Sequence, residues 1–535
     1  MQTPTLWPSL PTTLEHSLLL SSEGEKLLLA FAESLLEAGG NELAPDLFPT
    51  FSGFLLSAWE SSLLSAKTAG MLLTAHEILP CLNELSADFC STCASLKPSN
   101  PAFAQQINTA IANGDLEDAK NLTVRFAAQE PGNLFWLRFA QHIGLLWGEL
   151  DWYEPWLENP PMPRAFARIF RADYAFARKD WQTAADLYAL AYKETALVQW
   201  LVREGECHLR MGDRAAAVEC WRRAVVARPW QTNLLLRLAS VIRNDDLPAA
   251  PPSGRGEILL YSWNHGFDLQ RCLEALHASE LYGCPITVLN NGSTDNTAEI
   301  LKSWHERTDV DLRVITLPVN IGAPAARNWL LGTEQARAAD WVVFLDDDAL
   351  VPKDWLGLFG RAMRNYPNAA VVGCRIHSAA APMALQSVDL HFECSATGDY
   401  KLCDTHLNTP DFGQYSYLRP ALSVTGCCHC ITRKSLDAHG HFDLRFSPSQ
   451  FDDLERDFRV AQNSGQCIYQ GFLSVGHIKH SGLMAGITPW QKANIQGNLS
   501  KLWGSYSKEA IIPMAHRDWE SLRQDFLNKL STLGI

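Results

Sequence analysis

Trp341-Val342-Val343-Phe344-Leu345-Asp346-Asp347-Asp348 joins an unbroken apolar run to three successive carboxylates. Such a run, bounded by charge, reads as a buried strand. It delivers its acids to the carboxyl edge of a sheet, where open α/β folds bind their ligands. An isolated acidic triplet is usually a solvated turn. Here, adjacent like charges directly after a buried strand raise one another's pKa, so a compensating cation is expected beside them. Hard divalent ions such as Mg²⁺ or Mn²⁺ take oxygen ligands and bridge carboxylates to phosphates, which makes Asp346 and Asp348 candidate metal ligands.

On both sides of this stretch the pattern alternates strands with helices, as in a mostly parallel sheet with crossover helices. Residues 257–263 read as a first strand ending in Ser262-Trp263-Asn264-His265, and an amphipathic helix follows. A second strand, 286–289, runs into Asn290-Asn291-Gly292-Ser293-Thr294-Asp295, where Asp295 or Thr294 is expected to cap a helix over 297–304. Glycine turns and helix N-termini at strand ends attract phosphates, so both loops are expected to face a nucleotide. A third strand near 312–317 leads to Asn320-Ile321-Gly322 and a helix carrying Arg327, whose planar fork suits a diphosphate or a base.

Before this region lies a different grammar. Gly114-Asp115, Gly148-Glu149, Lys179-Asp180 and Gly212-Asp213 recur at spacings of 34, 31 and 33 residues, which marks stacked helical hairpins. Alanines fall at matching places, Ala119, Ala184 and Ala217, where paired helices approach; the second unit departs, with Tyr153 in that slot. Trp136, Trp147, Trp152 and Trp156 read either as core or as a binding surface. The chain therefore divides into a helical region over 1–100, hairpin repeats over 101–243, a linker rich in Pro and Gly over 244–256, an α/β domain over 257–485 and a helical extension over 486–535.

Composition narrows the function classes. The chain has 535 residues, 47% of them hydrophobic and 19% charged, as in a globular protein. Its 45 basic and 59 acidic residues give a net charge of −14, which argues against nucleic-acid binding through phosphate neutralisation. No apolar stretch approaches the roughly 20 residues of a transmembrane helix, and the start lacks a basic signal-peptide region, so a cytoplasmic location is expected. The 14 cysteines are then expected to be reduced. Neither Cys90-Ser91-Thr92-Cys93 nor Cys427-Cys428-His429-Cys430 reads as zinc-binding: the first lacks a second pair, and neighbours on a strand point to opposite faces.

The ordered segments SWNH, LNNGSTDNT, NIGAPAARN, FLDDDA and FDDLERDFRVAQNSG make residues 256–482 resemble the family 2 glycosyltransferases of GT-A fold, and residues 101–243 resemble tetratricopeptide repeats. The first resemblance implies inverting transfer of a sugar from a nucleotide-sugar donor to an acceptor hydroxyl, assisted by Mn²⁺ or Mg²⁺. It places Asp346 near the ribose and metal, Asp348 on the metal, and Asp453 as the base, with Asp452 and Glu455 as its backups. It also implies a histidine ligand, His477 in preference to His480. Ser262, Asn264, Asn290, Asn291 and Arg327 are the expected donor contacts, although relatives usually carry an aspartate where Asn290 stands. The repeats imply a protein partner or a protein acceptor, a glycan being the other acceptor class. The competing expectation is a non-catalytic scaffold that holds a nucleotide sugar and acts through its repeats.

Overall fold

A computed structural model describes residues 7, 10–38, 43–394, 399–403, 406–407, 409–479 and 488–534. As far as Ile242 every described element is a helix. Helices pair as hairpins: Pro101–Asn113 with Leu116–Gln129, Arg164–Ala177 with Trp181–Thr195, and Val198–Arg210 with Arg214–Ala227. The recurring dipeptides explain the turns. Gly114, Lys179 and Gly212 take left-handed φ values of 76°, 63° and 85°. The aspartate that follows each one caps the next helix, accepting the N–H of Asp118 (3.0 Å), Thr183 (3.2 Å) and Ala216 (3.0 Å). Glu149, the exception in sequence, makes no such cap bond.

Tyr153 is accommodated by a second departure. Gly144 on helix Leu137–Leu146 faces it so closely that a Cβ there would lie 2.5 Å from the Tyr153 Cβ. Trp136 is core, packed with Phe126, Phe135 and Phe139, whereas Trp152 and Trp156 are half-buried against the core. The arrangement is compatible with tetratricopeptide-like hairpins.

The leading helices of the hairpins line a cavity of about 460 Å³, whose far wall belongs to residues 409–414 of the α/β domain. Phe412 inserts there, its ring centre 3.6 Å from the Arg203 guanidinium and 5.1 Å from the Phe176 ring. Asn233 Nδ2 donates to the Gln414 carbonyl at 3.1 Å. The inner face of the hairpins is thus engaged by the chain's own α/β domain.

The α/β domain contains β1 Gly256–Ser262, β2 Ile286–Asn290, β3 Leu312–Thr316, β4 Trp341–Leu345, β5 Ala349–Leu350, β6 Ala369–Ser378, β7 Leu385–Ser387, β8 Phe392–Cys394, β9 Tyr400–Leu402, β10 Leu418–Ala421, β11 Cys428–Thr432 and β12 Gln466–His477. The main sheet has the order β10-β12-β6-β11-β4-β1-β2-β3, with β5 on β12 and β7 on β6; β8 and β9 form a separate hairpin. The expected α/β sheet is present and is mixed in detail, with β6 and β12 also paired in parallel. Strands β1 to β4 pair in parallel through crossover helices, but β11 returns antiparallel between β4 and β6, and β10, β5 and β7 also pair antiparallel.

Alternation along the strands builds two apolar layers. Leu259, Leu289, Val342 and Phe344 join the cluster that includes Leu235 and Leu238 of helix Thr232–Ile242, while Ile258, Val288, Val343 and Leu345 join the cluster on the opposite face. The C-terminal helix Lys508–Leu533 closes the structure, its Phe526 ring 5.7 Å from Trp7. Among the described residues no helix is long and apolar enough to cross a membrane.

Candidate active site

The ends of three elements converge where β4 runs out. Strand β4 delivers Asp346, Asp347 and Asp348, helix Asp452–Gln462 begins with Asp452 and Asp453, and β12 ends at His477. All six line one cavity of about 480 Å³, together with Arg327, Tyr261, Trp263, Asn291 and Lys479. The two acidic motifs are tied together by Arg327: its Nη1 donates to Asp452 Oδ2 at 2.5 Å and its Nη2 lies 3.7 Å from Asp346 Oδ1. The buried guanidinium sits between the rings of Tyr261 and Phe442, 5.5 and 5.3 Å from their centres. That geometry places Arg327 between the carboxylates, where it neutralises charge that burial makes costly.

Five carboxylates against two permanent cations leave an acidic excess. Burial pushes the Asp346 carboxyl up to about 6 against the opposing pull of Arg327, and pushes Asp347 up to about 7. Burial works the same way on Asp348, but the hydrogen bond and charge of His477 outweigh it and hold that carboxyl below its ordinary range. The donor set fits a hard divalent ion. Asp348 Oδ1 lies 3.0 Å and Asp346 Oδ2 4.0 Å from His477 Nε2, so each carboxylate approaches the imidazole, and the ligand atoms of Asp346, Cys427 and His477 all lie within 4.8 Å of one another. Cys427 belongs to this group as well, and without a cation burial raises its thiol well above the ordinary range.

Asp453 is held differently. Its Oδ2 accepts the Gly426 N–H at 2.6 Å and its Oδ1 the Leu454 N–H at 2.9 Å, fixing the carboxylate at the cavity wall. A Cβ on Gly426 would lie 2.6 Å from that same Oδ2. Gly426→Ala is therefore expected to displace Asp453 and, with Asp453 as the base that the resemblance implies, to lower turnover by about 100-fold, the typical effect of misplacing a reacting group by about 1 Å. A donor-saturated kcat equal to that of the wild type would show that Asp453 tolerates the shift.

Of the other expected site residues, Asn291 lines the cavity, whereas Ser262, Asn264, Asn290 and Glu455 do not. Ser262 is fully buried beneath the loops. Asn264, in a left-handed conformation with φ 55°, spends its Oδ1 on the Thr294 N–H at 2.7 Å. Asn290 is buried and accepts the Ser293 N–H at 2.9 Å, while Asn291 reaches the cavity but has its amide engaged by Asn320 and Ile321. Glu455 turns to the far side of its helix, where it pairs with Arg459 at 2.9 Å and accepts from the Tyr506 hydroxyl at 3.2 Å. Of the two caps expected after β2, Asp295 serves: its Oδ1 accepts the Thr297 N–H at 3.1 Å, while Asn296 at the N-cap position makes no side-chain cap bond. His480 lies outside the described residues.

Several lining residues carried no local sequence signal. Gln386 and Ser387 enter from β7, Thr425 and Gly426 precede β11, and Trp490 comes from helix Pro489–Ser505. Trp263 and Trp490 are 47% and 66% exposed, which leaves two large aromatic faces at the cavity rim available to a ligand.

Residues 258–439, from the third residue of β1 to the end of helix Arg433–His439, match the family model "Glycosyl transferase family 2". The O-antigen biosynthesis protein RfbC of Myxococcus xanthus is 30% identical over 168 residues, which cover 30% of this chain and 12% of that protein. The uncharacterized glycosyltransferase YibD of Escherichia coli (strain K12) is 32% identical over 109 residues, 20% of this chain and 30% of that protein. The chain thus spans less than a third of the length of either relative. Among solved structures, the mannosyltransferase PcManGT from Pyrobaculum calidifontis in complex with GDP-Man and Mn²⁺ aligns at 17% identity and a TM-score of 0.36, covering 59% of this chain and 84% of that one. GalNAc-T7 with UDP, GalNAc and Mn²⁺ aligns at 12% identity and a TM-score of 0.36, covering 48% and 49%.

Proposed function

Taking the glycosyl transferase family 2 domain at residues 258–439 as the premise, we propose that the chain transfers a sugar from a nucleoside-diphosphate donor to an acceptor hydroxyl with inversion. The observation that carries this reading is the convergence of Asp346, Asp348, Asp453 and His477 on one cavity from three distant parts of the chain. Asp346, Asp348 and His477 would hold a divalent ion, which supplies charge neutralisation to the departing diphosphate. Arg327 stands beside Asp346, and Lys479 is a second cation on the cavity wall. Trp263, rather than the engaged amides of Asn290 and Asn291, offers the face on which a nucleobase stacks.

The chemistry then needs one proton transfer. The acceptor oxygen bonds to the anomeric carbon from the face opposite the diphosphate, and Asp453 takes the hydroxyl proton. The bond from that carbon to the phosphate oxygen breaks, and the nucleoside diphosphate leaves with the electron pair. Two backbone N–H groups hold the Asp453 carboxylate in orientation for that role.

The acceptor is a hydroxyl on a protein or a glycan. Because Phe412 of the same chain occupies the inner face of the hairpins, a recruited protein would meet their outer helices. The test is release of nucleoside diphosphate from a panel of UDP-, GDP- and dTDP-sugars with Mn²⁺ or Mg²⁺ and candidate acceptors. Release that requires both metal and Asp453 supports the enzyme. Donor binding without release from any member of the panel supports the scaffold.

A further inference from the structure

Gln386 sits on β7 at the point where its register against β6 shifts, in a stretch with no sequence periodicity. Its Nε2 donates to the Lys479 carbonyl at 2.9 Å. A carbonyl can only accept, so that contact turns the amide oxygen toward His477, and the His477 Nδ1 lies 2.8 Å from Gln386 Oε1. An acceptor in this position fixes the imidazole proton on Nδ1 and directs Nε2 at Asp348 and Asp346.

Gln386 is itself held from behind. The carbonyl of Gln386 faces His406 Nε2 at 3.3 Å, and the neighbouring Ala384 forms an antiparallel bridge with Pro410. The Asp411 N–H donates to the Met383 carbonyl at 2.9 Å, and Asp411 pairs with Arg375 at 3.2 Å. The next residue, Phe412, is the ring that the helical hairpins grip through Arg203 and Phe176. Contacts therefore run without a break from the helical region to the imidazole.

We propose that Gln386 is a positioning residue that holds His477 in its metal-binding tautomer and orientation, and that the helical region keeps Gln386 in place through residues 409–414. The proposal rests on the metal-site reading given above. Groups that orient a ligating histidine typically contribute about 10- to 100-fold in metal affinity.

The test measures Mn²⁺ affinity of the full chain by EPR titration, with the unfolding midpoint followed in parallel. Gln386→Leu is expected to weaken Mn²⁺ binding by about 10- to 100-fold. Gln386→Glu keeps an acceptor opposite Nδ1 and is expected to restore most of that loss. Phe412→Ala, remote from the metal, is expected to weaken binding in the same direction. In a His477→Ala background, Gln386→Leu is expected to change affinity by less than about twofold, because the two act through one contact. Wild-type affinity in Gln386→Leu, or a full additional loss in the His477→Ala background, would overturn the proposal. A wild-type chain that binds no Mn²⁺ would overturn the metal-site reading itself.

Discussion

Asp453→Asn is expected to lower sugar transfer by about 10²- to 10⁴-fold, the usual contribution of a general base, while leaving Mn²⁺ and donor binding within about twofold of wild type. The amide is nearly the same shape as the carboxylate. One oxygen can still accept the Gly426 or the Leu454 N–H, but the side chain can no longer take a proton. The check is a comparison of donor-saturated kcat with donor affinity measured by calorimetry. A loss confined to KM would assign Asp453 to binding rather than to proton transfer, as would an unchanged kcat.

Asp348→Ala is expected to act at the other end of the cavity. Removing a carboxylate that lies 3.0 Å from His477 should weaken Mn²⁺ binding by at least about 100-fold, the upper end of what loss of a merely supporting group costs. Transfer falls with it, and raising Mn²⁺ should recover part of the rate. Because Asp348 Oδ2 also accepts the Lys479 N–H at 3.3 Å, Asp348→Asn serves as the shape-preserving partner. Both variants should lose metal, and only the alanine should loosen the end of β12. Full Mn²⁺ affinity in both would remove Asp348 from the metal site.

Local chemistry was readable from the chain wherever one side chain serves its own turn. The recurring dipeptides announced stacked hairpins, and in three of them Asp115, Asp180 and Asp213 cap the second helix. The apolar run before Asp346 announced a buried strand, and β4 is buried along its whole length. What stayed hidden depends on partners distant in sequence. Strand β11 has no period that marks it as antiparallel, so the mixed character of the sheet appears only when it inserts between β4 and β6.

The same limit governs the site. Asp452, Asp453 and Glu455 stand within one helical turn, yet Arg459 four residues on and Tyr506 from the C-terminal region draw Glu455 to the opposite side. Asn264 and Asn290 stand at the strand ends where ligand contacts were expected, but the loop after β2 uses their carbonyl oxygens to fold itself. Gln386 meets His477 across 91 residues, a contact set by the docking of β7 and legible only in three dimensions.

The central claim is that one cleft grips a divalent ion beneath a diphosphate. Titrating the wild-type chain with UDP, GDP and dTDP in the presence and absence of Mn²⁺ tests it most directly. The account predicts that at least one nucleotide binds tightly with Mn²⁺ present and at least about tenfold more weakly without it, in line with two carboxylates and an imidazole bridging metal to phosphate. Equal binding of every nucleotide with and without the ion, or no binding of any, would contradict it.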